Sequence, residues 1–279
     1  MVEFENEYTL CLEKADTLLQ EIFNHCSQNS LCFSIVNTYK TKEVLIFTHQ
    51  ATKKILINLT DDKKHEFAPS KIIAVIGPDG VGKTTLFNTV KPHIGKNFVY
   101  KRFKKIVLRS IIYNVTYPFT KRFLTSKLGF KPSKDQHDDS YAKLVFAAGL
   151  SYYPYLLFLA KLKKRLVFID RYFHDYLLEN IAFMQKQTVL RKGWQNYLKF
   201  LPVPLMTLHL DAKEEVVRSR KEELNDRDIQ KYREVNFFLY LQKPSKIYTY
   251  VNTQNDINFC KAVVLQSIHF INENDHDAT

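Results

Sequence analysis

Glycine is scarce in this chain: seven residues in 279, beside one tryptophan and three methionines. That scarcity excludes collagen-like and glycine-rich low-complexity architectures. Cysteine is equally thin. Cys11, Cys26, Cys32 and Cys260 show no C-x-x-C pair and no cysteine–histidine spacing, which excludes a zinc-finger framework and a disulfide scaffold. Free, reduced thiols in a cytoplasmic protein are the expectation. The opening residues MVEFENEYTL are polar and acidic and do not read as a secretory leader. Long apolar runs are also missing. The stretch Tyr141 to Ala160 has the length of a membrane span, yet it holds Lys143, Ser151, Pro154 and four tyrosines. It reads as a buried helix, not as a transmembrane segment or a membrane-surface contact.

Apolar residues make up 45% of the chain and charged residues 25%, the balance of a globular protein with room for one α/β domain and a small accessory unit. The formal charge is +12. Its basic clusters (Lys53-Lys54, Lys63-Lys64, Lys101 to Lys105, Lys121-Arg122 and Lys161 to Arg165) are dispersed among apolar residues and form no single arm. Dispersed charge attracts anions in general, nucleic acid and an acidic membrane surface included, and by itself decides little; nucleic acid is not the expected main partner. A phosphorylated substrate or an acidic surface fits the charge equally well.

Residues 6–29 carry leucine and isoleucine near helical spacing, and three β-like runs follow at Leu31–Tyr39, Val44–Thr48 and Ile55–Leu59. Residues 1–69 are therefore expected to be a small α+β unit, ending in a polar linker over Asp61–Ser70. From Lys71 the pattern alternates between strands and helices, as in a parallel sheet wrapped by helices. Strands are expected at Ile72–Ile76, Phe98–Tyr100, Leu166–Ile169, Leu205–Leu210 and Ile247–Val251. Helices are expected near 83–94, 104–116, 138–162, 173–187, 213–223, 228–241 and 256–272. Residues 70–279 form the second expected domain.

The motif that carries chemistry is Gly77-x-x-x-x-Gly82-Lys83-Thr84, set between a β-branched strand and a helix. Three of the seven glycines fall between Gly77 and Gly82, where the backbone must take positive φ and approach a ligand closely. Successive N–H groups at the start of a helix then form a concave anion site. Gly77, Pro78, Asp79, Gly80, Val81, Gly82, Lys83, Thr84 and Thr85 are the expected ATP contacts. Lys83 would reach the β- and γ-phosphates, and the Thr84 hydroxyl would hold Mg²⁺.

Phosphoryl transfer also needs a carboxylate near the metal and cations around the migrating group. Asp170-Arg171-Tyr172 closes the apolar run LVFI, where a parallel strand delivers side chains to a ligand crevice. Asp170 is the candidate Mg²⁺ partner or the orienter of Arg171. Arg171 and Tyr172 are the candidate acceptor contacts; the competing reading is a structural ion pair at a strand end. Arg218, Arg220, Lys221, Arg227 and Arg233 surround the turn Asn225-Asp226 and suggest a lid over ATP, with a solvated helix as the plain alternative. Lys83, Asp170, Arg171 and Arg220 form the candidate catalytic set. His137, Asp138 and Asp139 read as a helix cap before a metal cluster. Tyr152-Tyr153-Pro154-Tyr155 lines either an acceptor pocket or the core.

These motifs resemble the thymidylate-kinase-like branch of P-loop kinases over residues 70–272. The likeness rests on GPDGVGKTT, then LVFAAG in a long helix, then LVFIDRY, then LHLDAKEEVVRSRKEEL. The resemblance implies an α/β three-layer P-loop NTPase sandwich with a parallel five-stranded sheet, an ATP·Mg²⁺ site, a nucleoside monophosphate acceptor and a homodimer. It also implies that Asp79 meets the acceptor sugar hydroxyl, Arg171 meets the acceptor phosphate, and Arg220 belongs to the lid. Two features depart from it. No arginine follows Phe146-Ala147-Ala148, where Gly149 and Leu150 stand instead, and the stretch from Lys101 to Lys134 is longer and more basic. The segments RYFHDYLLEN and RSRKEEL are similar to a divergent bacterial subgroup often carried in surface-polysaccharide gene sets. The sequence thus leaves three function classes open: a small-molecule kinase acting on a nucleoside monophosphate or a sugar-like acceptor, a regulatory NTP-binding module without phosphotransfer, and a nucleic-acid end kinase.

Overall fold

The first nine placed residues are a strand, not the start of the expected helix. In the computed structural model β1 spans Val2–Leu10 and the helix α1 begins only at Leu12, running to Gln28. The side chains of Asn6 to Thr9 are exposed, so no alternation of apolar residues marks this strand. What holds it is its parallel ladder to β4, Thr52–Leu59, aided by the Asn58 amide donating to Glu7 Oε1 at 2.7 Å. An exposed strand of this kind is stabilised by pairing and not by its own pattern.

The structure describes residues 2–38, 40–60, 71–95, 97–109, 147–173, 200–221 and 224–273. The expected linker 61–70, the helix 173–187 beyond its first residue, the early part of the helix 138–162, and His137, Asp138 and Asp139 lie outside them. The chain divides into two compact units. One comprises Met1–Pro69, Gly77–Asn97 and Val203–Thr279; the other comprises Ser70–Ile76 and Phe98–Pro202.

In the first unit β2 (Cys32–Asn37), β3 (Thr41–Phe47) and β4 form an antiparallel meander. Two threonine turns set its register. Thr38 N–H donates to Thr41 O at 2.8 Å and Thr48 N–H to Ala51 O at 2.9 Å, each threonine hydroxyl bonding the same loop. β2 also pairs antiparallel with β9, Ile247–Asn252, and β9 pairs parallel with β8, Met206–Asp211. The described residues of 2–60 and the strand β9 therefore share one core. Every residue of β2 is buried, and its two faces are covered differently. Phe33 and Ile35 join Leu19, Ile22 and Phe23 of α1, where Phe23 stacks on Phe237 with centroids 4.2 Å apart. Ser34 on the opposite face hydrogen-bonds Thr249 at 3.0 Å and Ser267 at 2.9 Å, so its hydroxyl is satisfied there.

The second unit holds β5 (Ile72–Ile76), β7 (Leu166–Asp170) and β6 (Phe98–Arg102), all parallel, in the order β5-β7-β6. The short helix α3, Phe103–Arg109, follows β6 directly. Helical residues 147–157, here α4, continue into a π-turn over Phe158–Leu162. Gly149 packs so tightly that an added Cβ would stand 2.5 Å from Phe103 Cζ and 2.7 Å from Phe173 Cε1. Close packing of α4 on these rings gives a physical reason for glycine at this position.

The expectation of one five-stranded parallel sheet is corrected. All five strands predicted downstream of Lys71 form, as β5 to β9, but the described residues hold nine strands with antiparallel pairs among them. The sequence marked the accessory strands β2, β3 and β4, but not β1, and did not show which edge they would pair with. The helices α2 (Lys83–Val90), α5 (Glu214–Arg220), α6 (Asp226–Gln242) and α7 (Ile257–Glu273) lie where helical spacing put them. No helix among the described residues is long and apolar enough to cross a membrane.

Candidate functional site

The loop between β5 and α2 is built on three glycines with positive φ: Gly77 at 137°, Gly80 at 87° and Gly82 at 96°. L-residues rarely adopt these values. At Gly77 space is lacking as well, because a Cβ would stand 2.3 Å from the carbonyl oxygen of Leu210 on β8. Gly77→Ala is therefore expected to cost at least about 2 kcal/mol of stability and to abolish nucleotide binding. Thermal denaturation together with an ATP titration checks both.

Lys83 opens α2, and its ammonium folds back onto the loop. Nζ donates to the carbonyls of Gly77 at 2.6 Å and Pro78 at 2.9 Å and stands 3.7 Å from Asp79 Oδ1. The other Asp79 oxygen accepts from Lys221 Nζ at 3.1 Å. Arg220 Nη1 reaches the Gly80 carbonyl at 3.5 Å and is the nearest atom, at 3.6 Å, to a Cβ built on Gly82. Among the described residues three cations thus meet the loop beside the carboxylate of Asp79. Together with backbone in the left-handed region and a helix start, that excess fits a polyphosphate. Thr84 and Thr85 are exposed on the first turn of α2, whereas Val81 is fully buried. Thr84 carries the hydroxyl suited to Mg²⁺.

The basic group after β8 separates into distinct roles. Arg220 and Lys221 touch the loop. Arg218 instead pairs with Asp226 at 2.7 Å, and Arg227 is exposed on α6. Arg233 does not belong to a lid. Its guanidinium is bonded to Asp211 Oδ2 through Nε, to Glu214 Oε1 at 2.9 Å and to Ala212 O at 3.1 Å. Asn225 caps α6 by accepting from Asp228 N–H at 2.9 Å.

A brace behind the loop has no motif in the sequence. Thr253 donates its hydroxyl to Val81 O at 2.7 Å and its N–H to Asp211 O at 2.8 Å. The turn that carries Thr253 is fixed by Cys32 Sγ, which accepts from Asn252 N–H at 3.4 Å, and by Cys260 Sγ, which donates to Asn252 O at 3.5 Å. All four cysteines are free.

His209, next but one to Asp211 on β8, is fully buried; Nδ1 bonds Tyr248 Oη at 2.7 Å, and Nε2 has no partner among the described residues. Burial, then the charges of Arg233 and Lys83, push its pKa down to about 3. That lies below the ordinary value of the unfolded chain, so the unfolded state takes the extra proton first as pH falls. Stability from this group is complete above roughly pH 6.5 and is lost toward pH 3, by about 2 kcal/mol between pH 7 and pH 5. Denaturant titrations at the two pH values should show this loss, and His209→Gln should flatten it.

In the second unit Asp170 ends β7, 8% exposed, with Oδ2 accepting from the Tyr100 hydroxyl at 2.5 Å and 3.6 Å from Arg102 Nε. Its Oδ1 has no partner among the described residues. Arg171 sits at φ 60°, its N–H donating to Val75 O at 2.9 Å; a non-glycine residue held there is strained. Tyr172 is fully buried against Phe173, a core position and not a surface facing a ligand. No group of three or more metal-ligating side chains occurs among the described residues.

No known family's pattern matches the chain, and no curated protein matches it. Among solved structures it is similar to the thymidylate kinase from Ehrlichia chaffeensis, at 16% identity and a TM-score of 0.45, over 71% of this chain and 97% of that one.

Proposed function

We propose that this chain is an ATP-dependent phosphotransferase acting on a small molecule. The observation that carries the reading is the glycine loop of Gly77 to Gly82 with Lys83, Arg220 and Lys221 converging on it. Lys83 exchanges its loop carbonyls for phosphate oxygens, which hold more charge and make stronger hydrogen bonds. Backbone N–H groups of the loop and the start of α2 orient the polyphosphate, and Arg220 and Lys221 neutralise charge at its outer end. Thr84 is the proposed Mg²⁺ partner at the loop; when bound, the metal neutralises charge on the phosphates. Asp170 is the metal-partner candidate of the second unit. Arg171 grips the acceptor by a two-pronged bond. Asp79, already between two lysines, is the proposed contact for an acceptor hydroxyl.

The acceptor class is a nucleoside monophosphate, thymidylate among them, or a related sugar or sugar phosphate. The test is ADP release from ATP·Mg²⁺ across a panel of these acceptors. Saturable release dependent on one acceptor supports the proposal. Tight ATP binding with no turnover on any of them would overturn it in favour of a nucleotide-driven switch.

A further inference from the structure

Two buried thiols meet at the turn that joins β9 to α7. Cys32 opens β2 and Cys260 stands in the first turn of α7, both closed off from solvent. They hold the same two residues. Cys32 Sγ accepts from Asn252 N–H at 3.4 Å and from the Asn255 side-chain amide at 3.7 Å. Cys260 Sγ donates to Asn252 O at 3.5 Å and lies 3.7 Å from Asn255 O. The thiols are also hydrogen-bonded to each other; that bond lowers the Cys260 pKa, and together with burial it raises that of Cys32. Cys260 is therefore the thiol that ionises first and the better nucleophile. Cys26 is the competing partner, but burial pushes its thiol up to about 12. Thr253 to Asn255 are half-buried, and Asp256 and Ile257 beyond them are exposed, so a local opening of this turn admits a small oxidant. The same turn reaches the glycine loop through the Thr253 hydroxyl on Val81 O.

We propose that Cys32 and Cys260 are a redox modification site, converted by a small-molecule disulfide into an intramolecular disulfide that loosens the glycine loop from behind. The Cys260 thiolate attacks one sulfur of the small disulfide, forms a mixed disulfide and expels a thiolate, which takes up a proton. Cys32 then loses its proton and attacks the Cys260 sulfur, and the second small thiol leaves. Two protein thiols are oxidised by two electrons, and one small disulfide is reduced to two thiols. Neither protein sulfur then carries a proton, so the Cys260 bond to Asn252 O is lost and the turn bearing Thr253 is held less well. The effect on nucleotide rests on the phosphotransferase reading; the disulfide itself does not.

The test equilibrates full-length protein, without denaturant, in buffers of graded oxidised and reduced glutathione. Free thiols are blocked, and proteolytic fragments are read by mass spectrometry. A Cys32–Cys260 cross-link that reverts in reduced glutathione is expected. It should persist in Cys11→Ser/Cys26→Ser and vanish in Cys260→Ala; fragment mapping of the wild type decides the pairing even where a variant fails to fold. A Cys26–Cys32 link, glutathione adducts alone, or four unchanged thiols would overturn the proposal. Oxidised protein is expected to bind ATP about tenfold more weakly, and by linkage saturating ATP should raise the oxidised-to-squared-reduced glutathione ratio at the midpoint about tenfold. An unmoved midpoint despite measured ATP binding overturns the coupling to the loop. Absence of ATP binding counts instead against the phosphotransferase reading, and the cross-link is judged by the fragments alone.

Discussion

Replacing Lys83 by alanine is expected to lower turnover about a thousandfold while leaving the fold intact. The side chain is 9% exposed and its cation is bound to two loop carbonyls. On the proposed phosphotransferase reading it meets charge that grows during phosphoryl transfer, and removing one such donor costs two to three orders of magnitude. Turnover on the acceptor found by the panel reads the loss, with ATP affinity and a thermal melt beside it. Because Arg220 and Lys221 remain at the loop, ATP affinity should fall less than turnover. Full activity in the variant would mean that the phosphates sit elsewhere.

Removing Arg233 is expected to cost about 3 kcal/mol of stability. Asp211 is fully buried, and among the described residues Oδ2 is satisfied by Arg233 and by the Tyr250 hydroxyl at 2.6 Å. Burial opposes the guanidinium charge, but Asp211 outweighs it and raises the Arg233 pKa. Alanine at 233 leaves a buried carboxylate without its cation, the case in which breaking an ion pair is most destabilising. Asp211→Asn/Arg233→Ala removes both charges and should lose markedly less than the sum of the single changes. Denaturant unfolding of the four proteins reads the cycle. The same pair supports the brace through Asp211 O and Thr253, so Arg233→Ala should also weaken ATP binding. Additive losses would show that the two residues do not act as a pair.

The loop was legible because its requirements are local: three glycines, a lysine and a threonine in a fixed order, between a strand and a helix. Four of the strands, β5, β7, β8 and β9, were legible for a related reason, since buried strands carry dense apolar runs, whereas β6 is only partly buried. What the sequence did not reveal depends on partners far apart in the chain. β1 has exposed side chains and becomes a strand by pairing with β4, about fifty residues later. β2 pairs with β9 across more than two hundred residues, so 1–69 looked separable in sequence while the structure groups it with the P-loop and C-terminal segments. Arg233 read as one of five similar cations; only its distance to Asp211 distinguishes it. Thr253 has no motif at all. The Tyr100–Asp170 bond was equally hidden, although Lys101 to Lys105 had been marked as a basic cluster and Tyr152 as a candidate pocket residue.

The most direct measurement is a calorimetric titration of ATP into the purified chain, with and without Mg²⁺. One saturable site is predicted, weakened by omission of Mg²⁺ and by Lys83→Ala. An absence of saturable binding, or a site indifferent to both changes, would contradict the account.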